Sequence, residues 1–175
     1  MALIEQYLAG LQECLKELST HDIEAAAGVV FDAYRNGKRI FIMGNGSATT
    51  AMHFARDLQI GTAVTGKPRV RATSLADNMA FVTSLGNDKG YDSIFVEQLI
   101  GQLTAGDVVI GISTSGNSSN ILLAIEYAHD YGAATIGLIG FGGGRLKTLV
   151  DKAIVLSSRS YQQVEDMRRR IKAGR

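Results

Sequence analysis

Four hydroxyls fall within six residues at Ser113, Thr114, Ser115 and Ser118, in the segment GISTSGNS. The segment directly follows the apolar run DVVI and directly precedes the helical pattern NILLAIEYAHDYG, so it stands where a strand turns into a helix N-terminus. Unpaired amide donors and the helix dipole make such a place an anion site, and the added hydroxyls suit a phosphate. A serine-rich capping turn is the plainer reading, but four hydroxyls exceed what capping needs. The segment contains no lysine, which separates it from the nucleotide loop G-x-x-x-x-G-K-[ST].

A second strand-to-helix turn is Gly44-Asn45-Gly46-Ser47, ahead of the helical stretch ATTAMHFARDL. It lacks the third glycine of a dinucleotide fingerprint, and no acidic residue ends the next strand to hold a ribose. A second polar wall of a small sugar-phosphate site fits better. On that helix His53 and Asp57 stand at i and i+4, a spacing that puts imidazole and carboxylate on one face. Such a pair can hold a divalent metal, act in acid–base chemistry, or simply be a surface pair. Asn87-Asp88-Lys89-Gly90 reads on its own as a polar turn between helical segments. Glu165-Asp166 opens a terminal helix that ends in RRRIKAGR, a cationic stretch expected to fray.

These residues need a scaffold, and the chain supplies a regular one. Apolar residues at Leu3, Ile4, Tyr7, Leu8, Leu11, Leu15 and Leu18 form a first amphipathic helix. Asp22 is the expected N-cap of a second helix, which Asn36-Gly37 closes. Short apolar runs then alternate with helical segments: Arg39–Met43, Val70–Leu75, Val108–Ile112, Thr135–Ile139 and Ile154–Leu156. Continuous rather than alternating hydrophobicity predicts parallel strands buried on both faces, with glycine-rich turns gathered at their C-terminal ends. Two leading helices would pack on that sheet or on another subunit.

Composition narrows the function classes. Of 175 residues, 46% are hydrophobic and 20% charged, with one proline and 20 glycines, which excludes a disordered, collagenous or coiled-coil chain. A net charge of +1 provides no global field for nucleic acid or an acidic membrane. One cysteine, Cys14, supports neither an internal disulfide nor a cysteine zinc site. No apolar run approaches the roughly 20 residues of a membrane span, and the N-terminus lacks a cationic start. A single cytoplasmic domain is expected.

In order and spacing, GNGS, HFA followed by Asp57, SLGNDKGYDSIF and GISTSGNSSN resemble the SIS (sugar isomerase) domain family, and within it the phosphoheptose isomerases. The resemblance covers nearly the whole chain. It implies a flavodoxin-like three-layer α/β/α fold with a five-stranded parallel sheet preceded by two helices. It implies a homotetramer with sites at subunit interfaces, converting sedoheptulose 7-phosphate to D-glycero-D-manno-heptose 7-phosphate. Carried over residue by residue, Ser113, Thr114, Ser115 and Ser118 match the phosphate loop; Asn45, Gly46 and Ser47 match the first substrate turn; Asn87 and Asp88 match a sugar-binding pair. His53, Asp57 and Glu165 match zinc ligands, with Asp57 also at the position of the proposed base. This sequence departs from the family pattern by a missing glycine in the GNGS turn, by aspartate for the more usual glutamate at 57, and by Arg168 and Ala173 where relatives carry histidines. The last of these would be a zinc ligand and the proposed acid, and the terminal helix is expected to be shortened. A non-catalytic SIS module, binding a sugar phosphate or a protein partner, is the competing expectation.

Overall fold

The computed structural model describes residues 2–172. Two helices lead, α1 (Ala2–Lys16) and α2 (Thr20–Arg35). Then come β1 (Arg39–Gly44), α3 (Ala48–Arg56) running into a π-helical turn at Asp57–Gly61, and β2 (Arg71–Ser74). α4 (Met79–Asp88), a 3₁₀ turn at Tyr91–Ser93 and α5 (Val96–Leu99) lead to β3 (Val108–Ser113) and α6 (Ser119–Asp130). The chain continues through β4 (Ala134–Ile139), α7 (Leu146–Leu149), β5 (Lys152–Val155) and α8 (Tyr161–Lys172). All five strands are parallel, in the order β2-β1-β3-β4-β5. This is the flavodoxin-like α/β/α architecture that the sequence predicts, with the two leading helices in place.

The central strands β1, β3 and β4 are buried on both sides, which explains why they read as continuous apolar runs, whereas the edge strands β2 and β5 are partly exposed. One face packs Phe41, Met43 and Val109 against Phe95, Leu99, Ile121 and Ile125. The other packs Ile40, Ile42, Ile110 and Ile112 against the small faces of α2 (Ala26, Ala33) and α3 (Ala51, Ala55). Each fully buried aliphatic side chain contributes roughly 1.5–3 kcal/mol. Gly111 lets α6 sit close on β3, since a Cβ there would lie 2.9 Å from Ile121 Cγ2. A third cluster of Cys14, Leu156, Val164 and Met167 binds α1 to α8. Leu3, Ile4 and Leu8 on α1 remain exposed, so the first helix is only half used.

Local expectations differ from the structure in three places. Ser19, not Asp22, caps α2: its extended backbone aims the hydroxyl at the Asp22 amide, which donates to it over 3.1 Å. Asn87 and Asp88 complete the last turn of α4, and the reversal falls at Lys89-Gly90, where Gly90 has φ +94°. The cationic terminal segment is helical through Lys172, because Arg168 is drawn into the interior instead of fraying.

Candidate active site

The sheet order reverses direction between β1 and β3: the chain steps outward from β1 to β2, then returns to the other side of β1 for β3. Ligands of open α/β sheets bind beyond the C-terminal ends of strands at such a switch point. Both predicted turns arrive there. Asn45, Gly46 and Ser47 after β1, and Ser113, Thr114, Ser115 and Ser118 at the end of β3, line one polar pocket of about 170 Å³, with Ile112, Phe141 and Tyr161.

The hydroxyl loop is built for more than capping. Ser118 stands at the N-cap of α6 with extended backbone (φ −67°, ψ 117°), yet its hydroxyl makes no bond to the first-turn amides. It lies 3.5 Å from Ser113 Oγ, which itself accepts the Gly116 amide over 3.0 Å. The outer limb is held by Asn117, whose amide donates to Ser115 Oγ over 3.2 Å and whose Oδ1 accepts the Arg145 amide over 3.0 Å. Gly116 turns at φ +67°, and a Cβ there would collide with the Gly143 carbonyl. The loop is thereby fixed while its hydroxyls face the opening of a helix N-terminus, an arrangement that attracts a dianion.

The first turn is anchored by amide pairing. Asn45 exchanges side-chain hydrogen bonds with Asn120 on α6, at 3.0 and 2.8 Å, and accepts the Tyr91 hydroxyl over 3.2 Å. Ser47 is buried and likewise leaves its helix uncapped: its hydroxyl donates to Glu165 Oε1 over 2.8 Å. Thr50 Oγ1 lies 3.4 Å from Glu165 Oε2. Arg168 completes the cluster, with Nη1 2.8 Å from Ser47 Oγ, 3.0 Å from Thr114 Oγ1 and 2.7 Å from Glu165 Oε1. Burial pushes the Arg168 guanidinium below its ordinary range, and the neighbouring Glu165 carboxylate opposes that shift.

Other predicted residues lie elsewhere. His53 is exposed, and Asp57 heads the π-helical turn, its carboxylate 3.1 Å from Arg56 Nη1. Asp57 lines a separate, larger cavity of about 680 Å³, bounded mainly by apolar residues such as Val30, Phe31, Phe54, Leu58 and Ile171. Asn87 and Asp88 are exposed and bonded to one another over 2.7 Å. Among the described residues of this one chain, no three His, Cys, Asp or Glu side chains come together to hold a metal ion. Glu165 Oε1 already receives Ser47 and Arg168, and a guanidinium at that distance opposes a further divalent charge. Glu165, so paired, does not fit the role of a zinc ligand within this chain; Ala173 lies outside the described residues.

The sequence marks Arg168 only as a departure from a family histidine, not as an inward-facing partner of the site, and Asn120, Tyr91 and the pocket wall formed by Phe141 and Tyr161 were not anticipated. A signal for Arg168 existed. Val164, Met167, Arg168 and Ile171 fall at i, i+3, i+4 and i+7, which places the arginine on the inward stripe of its helix.

Comparison with known proteins agrees with the fold. Residues 5–140 match the SIS domain family. A phosphoheptose isomerase from Geobacter sp. (strain M21) is 39% identical over 145 residues, covering 82% of this chain and 75% of that protein. One from Aliarcobacter butzleri is 36% identical over 169 residues, covering 95% and 89%. The solved structure of a phosphoheptose isomerase from Francisella tularensis superposes with a TM-score of 0.88 at 27% identity, over 98% of this chain and 91% of that one. The chain belongs to the SIS domain family and is an enzyme of its isomerase branch. Among the described residues, no helix is long and apolar enough to cross a membrane.

Proposed function

We propose that the chain interconverts a ketose and an aldose phosphate, sedoheptulose 7-phosphate and D-glycero-D-manno-heptose 7-phosphate, in the cytoplasm. One observation carries this reading: at the β1/β3 switch point, four hydroxyls and the N-terminus of α6 converge on a polar pocket, and the Ser118 hydroxyl is not used for capping. The size and polarity of that pocket suit a phosphate group, and similarity to phosphoheptose isomerases supplies the seven-carbon sugar.

The reaction moves one carbon-bound proton. A base takes it from C1 of the ketose, an enediol(ate) forms, and a proton is returned to C2 as the hydroxyl proton passes from O1 to O2. Ser113, Thr114, Ser115 and Ser118 hold the phosphate, and that remote binding orients the reacting carbons. Asn45, Gly46 and Ser47 form the facing wall. Asp57 is the base in this reading because it stands at the position of the base proposed for the family; Asp57→Asn is expected to lower kcat by roughly 10²–10⁴-fold. Glu165 is held beside the pocket by Ser47 and Arg168. In a homotetramer, with sites between subunits, the exposed Asn87 and Asp88 are available to the sugar of a neighbouring copy.

Incubating purified protein with sedoheptulose 7-phosphate and following aldose formation tests the proposal. Aldose formation supports it. Neither turnover nor binding overturns it. Binding without turnover favours a sugar-phosphate-binding module, a reading for which the unassembled metal ligands are the motivating observation.

A further inference from the structure

Arg168 is the largest fully buried side chain among the described residues, at 0% exposure. A charge in the interior persists only when it is paired, and the partners of this one are unusual. Its Nη1 reaches three acceptors on three segments: Glu165 on α8, Ser47 on the turn after β1, and Thr114 on the loop after β3. Two of the three line the polar pocket. Among the described residues its Nε and Nη2 have no partner, so the guanidinium is not a saturated structural clasp.

Donor–acceptor logic gives this arrangement a consequence. A guanidinium only donates, so the oxygens of Ser47 and Thr114 act toward it as acceptors. Each hydroxyl must then direct its single proton elsewhere. Ser47 gives its proton to Glu165. Thr114 lines the pocket, so its proton is left for a pocket oxygen. Arg168 thereby makes Thr114 a donor toward the pocket, adds positive charge behind it, and neutralises Glu165 where a divalent cation would otherwise be needed.

We propose that Arg168 is the resident cation of the sugar-phosphate site, a positioning residue that acts through Thr114 and Ser47 and makes anion binding there independent of divalent metal. The inference rests on the sugar-phosphate reading above. It concerns how the charge of the site is balanced, not which sugar enters.

The test is calorimetric titration of inorganic phosphate and of sedoheptulose 7-phosphate into the wild-type protein, with chelator and then with zinc, alongside zinc stoichiometry by native mass spectrometry. Arg168→Met, Arg168→Lys, Thr114→Val and the Met/Val double variant are titrated in parallel. Wild-type affinity is expected to stay within about twofold in chelator or zinc, with zinc well below stoichiometric. Arg168→Met is expected to weaken both ligands by roughly 10–100-fold, the range for a hydrogen bond to a charged group. Lysine should recover part of that loss, and the double variant should lose little more than either single one. Lysine rescue and non-additivity are readouts that a merely structural arginine would not produce. Wild-type-like affinity in Arg168→Met, metal-dependent wild-type binding, or about one zinc per chain would overturn the proposal. Should the Arg168 variants fail to fold, Thr114→Val, which leaves the Arg168–Glu165 pair in place, still decides it: unchanged phosphate affinity in that variant overturns the proposal. A wild-type protein that binds neither ligand overturns the sugar-phosphate reading and this inference together, whereas intact wild-type binding with an indifferent Arg168→Met overturns only the inference.

Discussion

Two openings reach the sheet, and they differ in size and in kind. The pocket at the ends of β1 and β3 is about 170 Å³, and four serines, a threonine and an asparagine line it beside Ile112, Phe141 and Tyr161. The cavity between α2, α3 and α8 is about 680 Å³ and walled mostly by Val30, Phe31, Phe54, Leu58 and Ile171. Volume alone would choose the second as the site of chemistry. Physical character chooses the first, because a dianion needs fixed donors, and those are concentrated where two turns and a helix N-terminus meet. Phe31 of α2 lines the larger opening and is exposed, and Leu3, Ile4 and Leu8 of α1 are exposed as well. Exposed apolar side chains of this kind suit contact with another protein surface, in line with the proposed homotetramer.

The largest expected effect falls on the small pocket. Gly116 combines positive φ with direct backbone crowding from Gly143, so a methyl group must displace the hydroxyl loop. Gly116→Ala should reduce phosphate-ester affinity by more than about 100-fold and lower Tm by several degrees, read by calorimetry and thermal melting. Unchanged binding would show that the loop does not need its present shape.

Ser118→Ala sharpens the comparison at the next level. A serine hydroxyl that caps a helix stabilises it by roughly 1 kcal/mol, but the Ser118 hydroxyl bonds no first-turn amide. The variant should therefore melt within about 1 °C of the wild type while binding phosphate esters roughly 10–100-fold more weakly. A fall in Tm with intact affinity would assign the residue to capping.

Phe31→Asp, on the apolar side, should do the reverse. Burying a carboxylate in an interface is costly, so the concentration at which an assembly dissociates should rise by at least about tenfold. Inorganic phosphate affinity should stay within about threefold. Light scattering across a dilution series reads the first, and calorimetry the second. An unchanged mass would separate the cavity from assembly.

The same contrast explains what the sequence revealed. The hydroxyl loop and the GNGS turn were legible because each is local: a few neighbouring residues determine both the turn and its chemistry. The central strands β1, β3 and β4 were legible because strands covered on both faces need continuous apolar runs; of the partly exposed edge strands, β5 begins two residues earlier than the apolar pattern suggests. The π-helical turn that begins at Asp57 was hidden, because an i, i+4 pair assumes an uninterrupted α-helix. Arg168 was hidden for a different reason. It opens a run of cations that reads as a solvated helix end, and only its phase with Val164, Met167 and Ile171 marks it as inward-facing. Its partners Ser47 and Thr114 lie 121 and 54 residues away, a separation that no local pattern spans.

The smallest expected effect concerns the seam that carries Arg168. α8 is tied to α1 by the Tyr7 hydroxyl, which donates to Asp166 Oδ2 over 2.6 Å, and by Gln163 Nε2, which donates to the Tyr7 carbonyl over 3.1 Å. The bond to Asp166 raises the Tyr7 phenol above its ordinary value near 10, because ionisation would replace a donor with a second negative charge. A group whose folded pKa is raised contributes stability that is complete below its unfolded pKa and is lost as pH climbs through the folded one. Tyr7→Phe should therefore lower Tm by about 1–2 °C at neutral pH, and the gap to the wild type should close only in alkaline solution above pH 10. Phosphate affinity should not change, because α8 also keeps Val164 and Met167 packed against Cys14 and Leu156. A gap that closes below pH 9 would mean that the phenol does not hold the seam as a donor. A loss of phosphate affinity in this variant would mean that the placement of Arg168 depends on α1, joining the first helix to the pocket that it does not touch.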